Sequence, residues 1–193
     1  MPDPSPTFVS RGGLKLRHAL DKFALSVQGL TCADFGCSTG GFTDCLLQAG
    51  AARVYAVDTA YGELAWKLRN DPRVVVTERT NCLHAHPPEP VDLVVADAGW
   101  TPQRLLVPAA LRWLRADGRM ITLIKPHYEL KDRGRDLPPK GILADAVAEQ
   151  VTQQTVDSLP ACGVRVEGLT RSPILGGAKA RGNAEWLALL AKA

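Results

Sequence analysis

The stretch Ala33-Asp34-Phe35-Gly36-Cys37-Ser38-Thr39-Gly40-Gly41-Phe42-Thr43-Asp44 could do chemistry by residue type and spacing. An apolar run reaches an acid, passes into a glycine-rich loop and opens a helix. Glycine is needed where backbone turns tightly and lies against a ligand with no Cβ between. The following helix, from about Gly41 to Ala49, would aim its N-terminal amides at whatever the loop holds. A second apolar run, Val54-Tyr55-Ala56-Val57, ends in Asp58. An acid about 20 residues beyond such a loop is placed to accept hydrogen bonds from a ribose. Together they predict a nucleoside-bearing cofactor; a strand–turn–helix with no ligand is the alternative.

The spacing Gly36-x-Ser38-x-x-Gly41 is one substitution from the dinucleotide fingerprint. That fingerprint wants glycine at the second position, so that backbone can approach a pyrophosphate. Ser38 weakens the dinucleotide reading. Asp34, just before the loop, suits a cofactor with a cationic group, such as the amine of S-adenosylmethionine, and does not suit a pyrophosphate.

A second set of candidates consists of charges that end apolar runs. Val91-Asp92-Leu93-Val94-Val95-Ala96 ends in Asp97, and Arg119 to Ile124 ends in Lys125. Either charge alone could mark no more than the place where solvent begins. In a doubly wound sheet, however, ligands bind outside the carboxyl ends of the strands, so both belong to one rim. If the last strand runs antiparallel, Glu185 near its start joins that rim, and Lys15 could reach over the same edge. A lysine beside another cation and partly desolvated is expected to lose proton affinity. It can then act as a general base on a weakly acidic hydroxyl.

The elements that must position these groups follow from apolar periodicity and punctuation. Met1 to Thr7 is a proline-rich lead-in, and residues 10–193 read as one domain. Ser10 is expected to cap a helix from about Arg11 to Leu25. Strands are predicted at Leu30 to Phe35, Arg53 to Asp58, Arg73 to Glu78, Val91 to Asp97, Arg119 to Lys125, Gly163 to Leu169 and Asn183 to Leu190. Helices are predicted at Glu63 to Arg69, Pro102 to Leu114 and Gly141 to Ser158. Asp117-Gly118 reads as a turn, Lys131 to Lys140 as an exposed charged loop, and Ser172 to Gly182 as a glycine-rich basic loop. Apolar strands alternating with helices argue for an α/β fold with a mostly parallel sheet covered on both faces.

Composition fits this picture. Of 193 residues, 46% are hydrophobic, enough for a sizeable core, and the formal net charge is only +3. The five cysteines, at positions 32, 37, 45, 82 and 162, form no CxxC pair and are expected to be reduced thiols in a cytoplasmic protein. His84-Ala85-His86 lacks a third ligand, so no metal is expected. No apolar run approaches a membrane span, and the N-terminus does not resemble a signal peptide.

Several ordered motifs resemble one family. Ser10-Arg11-Gly12-Gly13-Leu14-Lys15-Leu16, the Asp34–Asp44 loop, Val54-Tyr55-Ala56-Val57-Asp58, Ile124-Lys125-Pro126-His127-Tyr128-Glu129, Ser172-Pro173-Ile174 and Gly182-Asn183-x-Glu185 are similar to the motifs of FtsJ-like ribose 2′-O-methyltransferases. The likeness is strongest to the catalytic domain of TlyA (haemolysin A-like) rRNA methyltransferases, and runs from about Ser10 to the C-terminus. It implies a Rossmann-like class I methyltransferase fold, a seven-stranded sheet with an antiparallel last strand, and S-adenosylmethionine as cofactor. It also implies a Lys-Asp-Lys-Glu tetrad at Lys15, Asp97, Lys125 and Glu185, and RNA, of the ribosomal class, as partner.

On that basis Asp34, Gly36, Ser38, Gly40, Gly41 and Phe42 would hold the amino-acid end of the cofactor and Asp58 its ribose. Thr80 and Asn81 would sit near the adenine, with Asp97 bordering the same site. Arg11, Arg17, Arg133, Arg135, Lys179 and Arg181 are the expected phosphate contacts. The chain departs from the family at Ala98-Gly99-Trp100, where a Ser-Phe-type turn is usual, and at His127 and Tyr128, which replace glutamine and phenylalanine. TlyA-like proteins carry an S4 RNA-binding domain ahead of the catalytic one, and the sequence is expected to lack it. A non-RNA hydroxyl acceptor and a non-catalytic cofactor- or RNA-binding module stay open as alternatives. A pore-forming role finds no amphipathic segment to support it.

Overall fold

In a computed structural model, which describes residues 8–177 and 182–193, the apolar runs become seven strands. They are β1 (Thr31–Phe35), β2 (Arg53–Val57), β3 (Val74–Thr77), β4 (Val91–Ala96), β5 (Leu114–Ile124), β6 (Val164–Arg171) and β7 (Trp186–Lys192). They form one sheet in the order β3-β2-β1-β4-β5-β7-β6. β7 pairs antiparallel with β5 and with β6, and every other pairing is parallel. The expected mostly parallel sheet with an antiparallel last strand is therefore present. The order reverses between β1 and β4, which opens a crevice beyond their carboxyl ends.

Among the described residues six α-helices flank the sheet: α1 (Gly12–Lys22), α2 (Gly41–Gln48), α3 (Trp66–Arg69), α4 (Gln103–Leu111), α5 (Pro126–Asp132) and α6 (Asp145–Ser158). Side chains alternate along each strand, so successive residues feed opposite faces. Ala33 and Phe35 of β1 join one core with Leu106, Trp113 and Leu159. Cys32 joins the other, with Leu16, Phe42, Leu46 and Ile121. Phe35 meets Trp113 edge to face, ring centres 5.2 Å apart. Burial on both faces is why the strands read as continuous apolar runs.

Four details differ from expectation. Ser10 does not cap α1: Arg11 holds the N-cap position without a side-chain cap. β5 begins at Leu114 rather than Arg119, and Asp117-Gly118 falls in a bulge within it: Val91 faces Leu114 and Leu93 faces Arg119, so residues 115–118 leave the ladder. α5 was not expected, and its last residues, Lys131 and Asp132, fall where a loop was predicted. Pro126 opens that helix with a pre-set φ, but seven residues next to a charged run carry too little periodicity to be seen. α6 starts at Asp145 rather than Gly141; Pro139–Gly141 forms a 3₁₀ turn before it. The lead-in at residues 1–7 lies outside the described residues.

Candidate active site

The carboxyl ends of β1, β2, β4 and β5 open onto a cleft of about 800 Å³, roofed by the start of α1 and the loop after β6. Gly36, at the exit of β1, has φ +80°, and a Cβ there would fall 2.8 Å from the Asp97 carbonyl oxygen. The β1 and β4 exits thus press together at the switch point, and only glycine allows it. The loop is then tied to β2. Gly36 and Cys37 donate their amides to the Val57 carbonyl, at 2.9 and 3.2 Å. The Ser38 amide donates to Asp58 Oδ2 at 2.7 Å, and the Ala60 amide to Asp58 Oδ1 at 2.8 Å. Each carboxylate oxygen keeps a lone pair for a further donor.

Gly36, Ser38, Gly41, Phe42, Asp58, Thr80, Asn81 and Asp97 line the cleft. Two of the expected cofactor residues sit behind its wall. Asp34 is fully buried, its Oδ2 accepting from the Thr43 hydroxyl at 2.7 Å. Its Oδ1 has no partner. Burial pushes its pKa up to about 7, against the Thr43 hydrogen bonds and with help from the nearby Asp97 and Asp58 charges. Gly40 starts α2 in a left-handed conformation against Leu64 and Leu68. Cys32, Cys37, Cys45 and Cys82 are buried free thiols, and burial is the main cause that raises the pKa of each.

The four charges of the rim meet in an alternating line. Lys15 reaches from α1 and donates to Glu185 Oε2 at 2.6 Å. On its other side it lies 3.8 Å from Asp97 Oδ2. Asp97 Oδ1 in turn pairs with Lys125 Nζ. Glu185 is 3% exposed and Lys15 8%, so each charge depends on its neighbour for compensation. Signs alternate along the line, and the set is neutral as a whole.

This arrangement corrects one expectation. Lys125 was expected to lose proton affinity, yet its pKa is raised. Burial alone would lower it, but the Asp97 carboxylate, by charge and by hydrogen bond, and then Glu185, outweigh burial. Lys15, the nearby cation, donates its hydrogen bond to Glu185.

Beside Lys125 the mouth of the cleft is aromatic. Its Nζ lies 5.9 Å from the Tyr128 ring centre. Tyr128 contacts Trp100 at 5.0 Å and His127 at 4.0 Å between ring centres. Trp100 is 77% exposed and holds φ +64°. His127 is kept toward its neutral form by burial and by the Lys125 charge, and its buried Nδ1 has no partner.

Of the described cationic candidates for phosphate contact, only Arg11 lines the cleft, and it donates to the Leu175 and Gly177 carbonyls. Arg17 stands over the Phe8 ring. Arg133 donates to Gln154 and Thr155 of α6. Arg135 is exposed beyond α5. Lys179 and Arg181 lie outside the described residues. Sequence reasoning missed Ile174, Leu175 and Gly177 as cleft walls; their place after a strand on the ligand-binding edge was the available signal. Among the described residues no group of three or more His, Cys, Asp and Glu side chains is set to hold a metal ion. None of the described helices is long and apolar enough to cross a membrane.

Comparison with known proteins adds names to this geometry. The profile of the FtsJ-like methyltransferases matches residues 8–187. The 16S/23S rRNA (cytidine-2′-O)-methyltransferase TlyA of Mycobacterium tuberculosis is 46% identical over 146 residues, 74% of this chain and 54% of that protein. A Bacillus subtilis protein, YqxC, provisionally named an rRNA methyltransferase, is 42% identical over 186 residues, 93% of this chain and 64% of its own. The chain thus spans between about half and two thirds of these relatives. A solved structure from Streptococcus thermophilus, provisionally named a hemolysin, superposes with a TM-score of 0.89 at 38% identity, over 100% of this chain and 69% of that one. At 20% identity the likeness is of fold: an S-adenosylmethionine-dependent methyltransferase from Mesorhizobium loti gives a TM-score of 0.62 over 90% of this chain and 95% of its own.

Proposed function

The chain belongs to the FtsJ-like methyltransferase family, and from that premise we propose that it transfers a methyl group from S-adenosylmethionine to a ribose 2′-hydroxyl of structured RNA. Ribosomal RNA is the class to which the names of its relatives point. The observation that carries the reading is the alternating line Glu185–Lys15–Asp97–Lys125 at the mouth of a nucleoside-sized cleft.

The residues fit the cofactor. The Gly36 turn, where a Cβ would meet the Asp97 carbonyl and the Ala98 backbone, lets the β1 and β4 exits close together at the edge of the cleft. Asp58 has acceptor capacity left for ribose hydroxyls, and Thr80 and Asn81 border the adenine side. Asp34 lies beneath the loop, where the hydrogen bond it accepts from the Thr43 hydroxyl ties the exit of β1 to the start of α2 under the amino-acid end. When bound, S-adenosylmethionine supplies an electrophilic methyl group, so transfer needs alignment and a deprotonated oxygen and little else.

Lys125 stands where the 2′-hydroxyl would lose its proton. It rests as the ammonium because Asp97 holds it there. Only its neutral form accepts the hydroxyl proton, so the reactive fraction grows as pH rises. Asp97 orients Lys125, Lys15 holds Asp97 and Glu185 in line, and Glu185 accepts the Lys15 hydrogen bond. Phosphate contact falls to Arg17 and Arg135, and to Lys179 and Arg181. Such contacts weaken steeply with salt.

The test uses S-adenosylmethionine labelled in its methyl group, the purified protein and ribosomal subunits at low and moderate salt. Label entering RNA in alkali-resistant dinucleotides, with a yield that falls as salt rises, is the expected result. Cofactor binding with no labelled RNA would overturn the acceptor assignment.

A further inference from the structure

The Arg11 guanidinium donates through Nη1 to the Gly177 carbonyl at 2.9 Å and through Nη2 to the Leu175 carbonyl at 3.3 Å. Both carbonyls belong to the loop after β6, whose Ile174, Leu175 and Gly177 wall the cleft. One helical turn on, on the same face of α1, Lys15 holds Glu185, which follows that loop. The loop closes on itself at two places. The Ser172 amide donates to the Glu185 carbonyl at 2.8 Å, and the Gly176 amide to the Asn183 carbonyl at 3.0 Å. Between the two Arg11 bonds, Gly176 lies against the Glu185 side chain. A Cβ at 176 would fall 2.8 Å from Glu185 Cδ. A shift of the backbone at 175–177 toward Glu185 therefore presses on the carboxylate that receives Lys15, and a shift away removes its support.

We infer that Arg11 is a positioning residue: its two-pronged grip on residues 175–177 fixes Glu185, and through it Lys15 and the tetrad, instead of contacting RNA phosphate. α1 seizes one unit twice, by backbone through Arg11 and by side chain through Lys15. The loop needs such an outside hold because glycines 176, 177 and 182 leave its backbone wide freedom. Arginine suits the task because its planar fork serves two carbonyls at once, whereas a lysine offers a single flexible point charge.

The catalytic half of this inference rests on the proposed function, and the structural half does not. Hydrogen exchange of the amides at 172–177 and methyl-transfer kinetics are measured for the wild type, Arg11→Ala and Arg11→Lys. Both variants are expected to exchange faster at 172–177. They should lower kcat by between about tenfold and about a hundredfold, with KM for RNA and its salt slope unchanged. Exchange at the wild-type rate would overturn the inference. So would a loss confined to KM, with a shallower salt slope and full recovery in Arg11→Lys, which is the signature of a phosphate contact. If the wild type transfers no methyl to RNA, the function has failed, and the exchange rates still decide whether Arg11 holds the loop.

Discussion

Lys15 and Glu185 are 170 positions apart in sequence, and their buried side chains meet at 2.6 Å. The contact joins the first helix to the last strand across the top of the sheet. Nothing local brings it about. It exists because β7 runs antiparallel between β5 and β6, which brings its N-terminal end to the edge where β4 and β5 finish.

Removing one partner of a buried pair strands the other. Lys15→Ala is expected to destabilise the fold by about 3 kcal/mol, read from urea unfolding at neutral pH. Adding Glu185→Gln should recover part of that loss, because the stranded charge is then gone. Additive losses in the double variant would show that the two side chains do not depend on each other.

The acid limb of stability should carry the mark of Asp34. Its folded pKa, about 7, lies above the ordinary value of 3.8. The folded state therefore binds more protons than the unfolded state between about pH 4 and pH 7, and stability from this group falls as pH rises through that window. Asp34→Asn cannot ionise. The difference in Tm between variant and wild type should move in the variant's favour on going from pH 5 to pH 8, by several degrees. A difference that does not change with pH would contradict the burial argument.

Much of this was legible in the sequence, and the reason differs from element to element. β1, β2 and β4 are covered on both faces, so each is mostly apolar, and each is followed at the rim by an element with chemistry: Gly36, Asp58 and Asp97. Lys125 was read the same way, as a charge where an apolar run stops, and Glu185 as a charge just before the last run, on the expectation that this strand runs antiparallel. What failed was information that only packing supplies. The extension of β5 back to Leu114 rests on a pair with Val91 of β4 across the bulge at Arg115-Ala116-Asp117-Gly118, whose residues carry no strand pattern. The sign of the Lys125 shift could not be read from a list of charges, because it depends on which carboxylate each lysine faces. Gly176 as a spacer for Glu185 had no local signal.

The rate of transfer should follow the protonation of Lys125. Since Asp97 raises its pKa above the ordinary lysine value, activity is expected to keep climbing with pH through the alkaline range. In Asp97→Asn the carboxylate is gone and burial, which lowers the pKa, is left. The rising limb should then move to lower pH even though the maximal rate is smaller. A limb that stays in place would show that the titrating group is not Lys125.

Gly36→Ala tests the switch-point turn. A left-handed backbone and a Cβ 2.8 Å from the Asp97 carbonyl oxygen should together cost about 1–3 kcal/mol of stability and weaken cofactor binding, measured by calorimetry. Binding and stability equal to wild type would mean that the β1 and β4 exits can part without consequence.

Separation of binding from chemistry at Lys125 is the most direct test of the account. Wild type and Lys125→Ala are compared for S-adenosylmethionine affinity by calorimetry and for entry of labelled methyl into RNA as alkali-resistant dinucleotides. The expected result is an affinity within a few fold of wild type and a transfer rate lower by at least about a hundredfold, the scale of a lost general base. Transfer by Lys125→Ala at the wild-type rate would contradict the account.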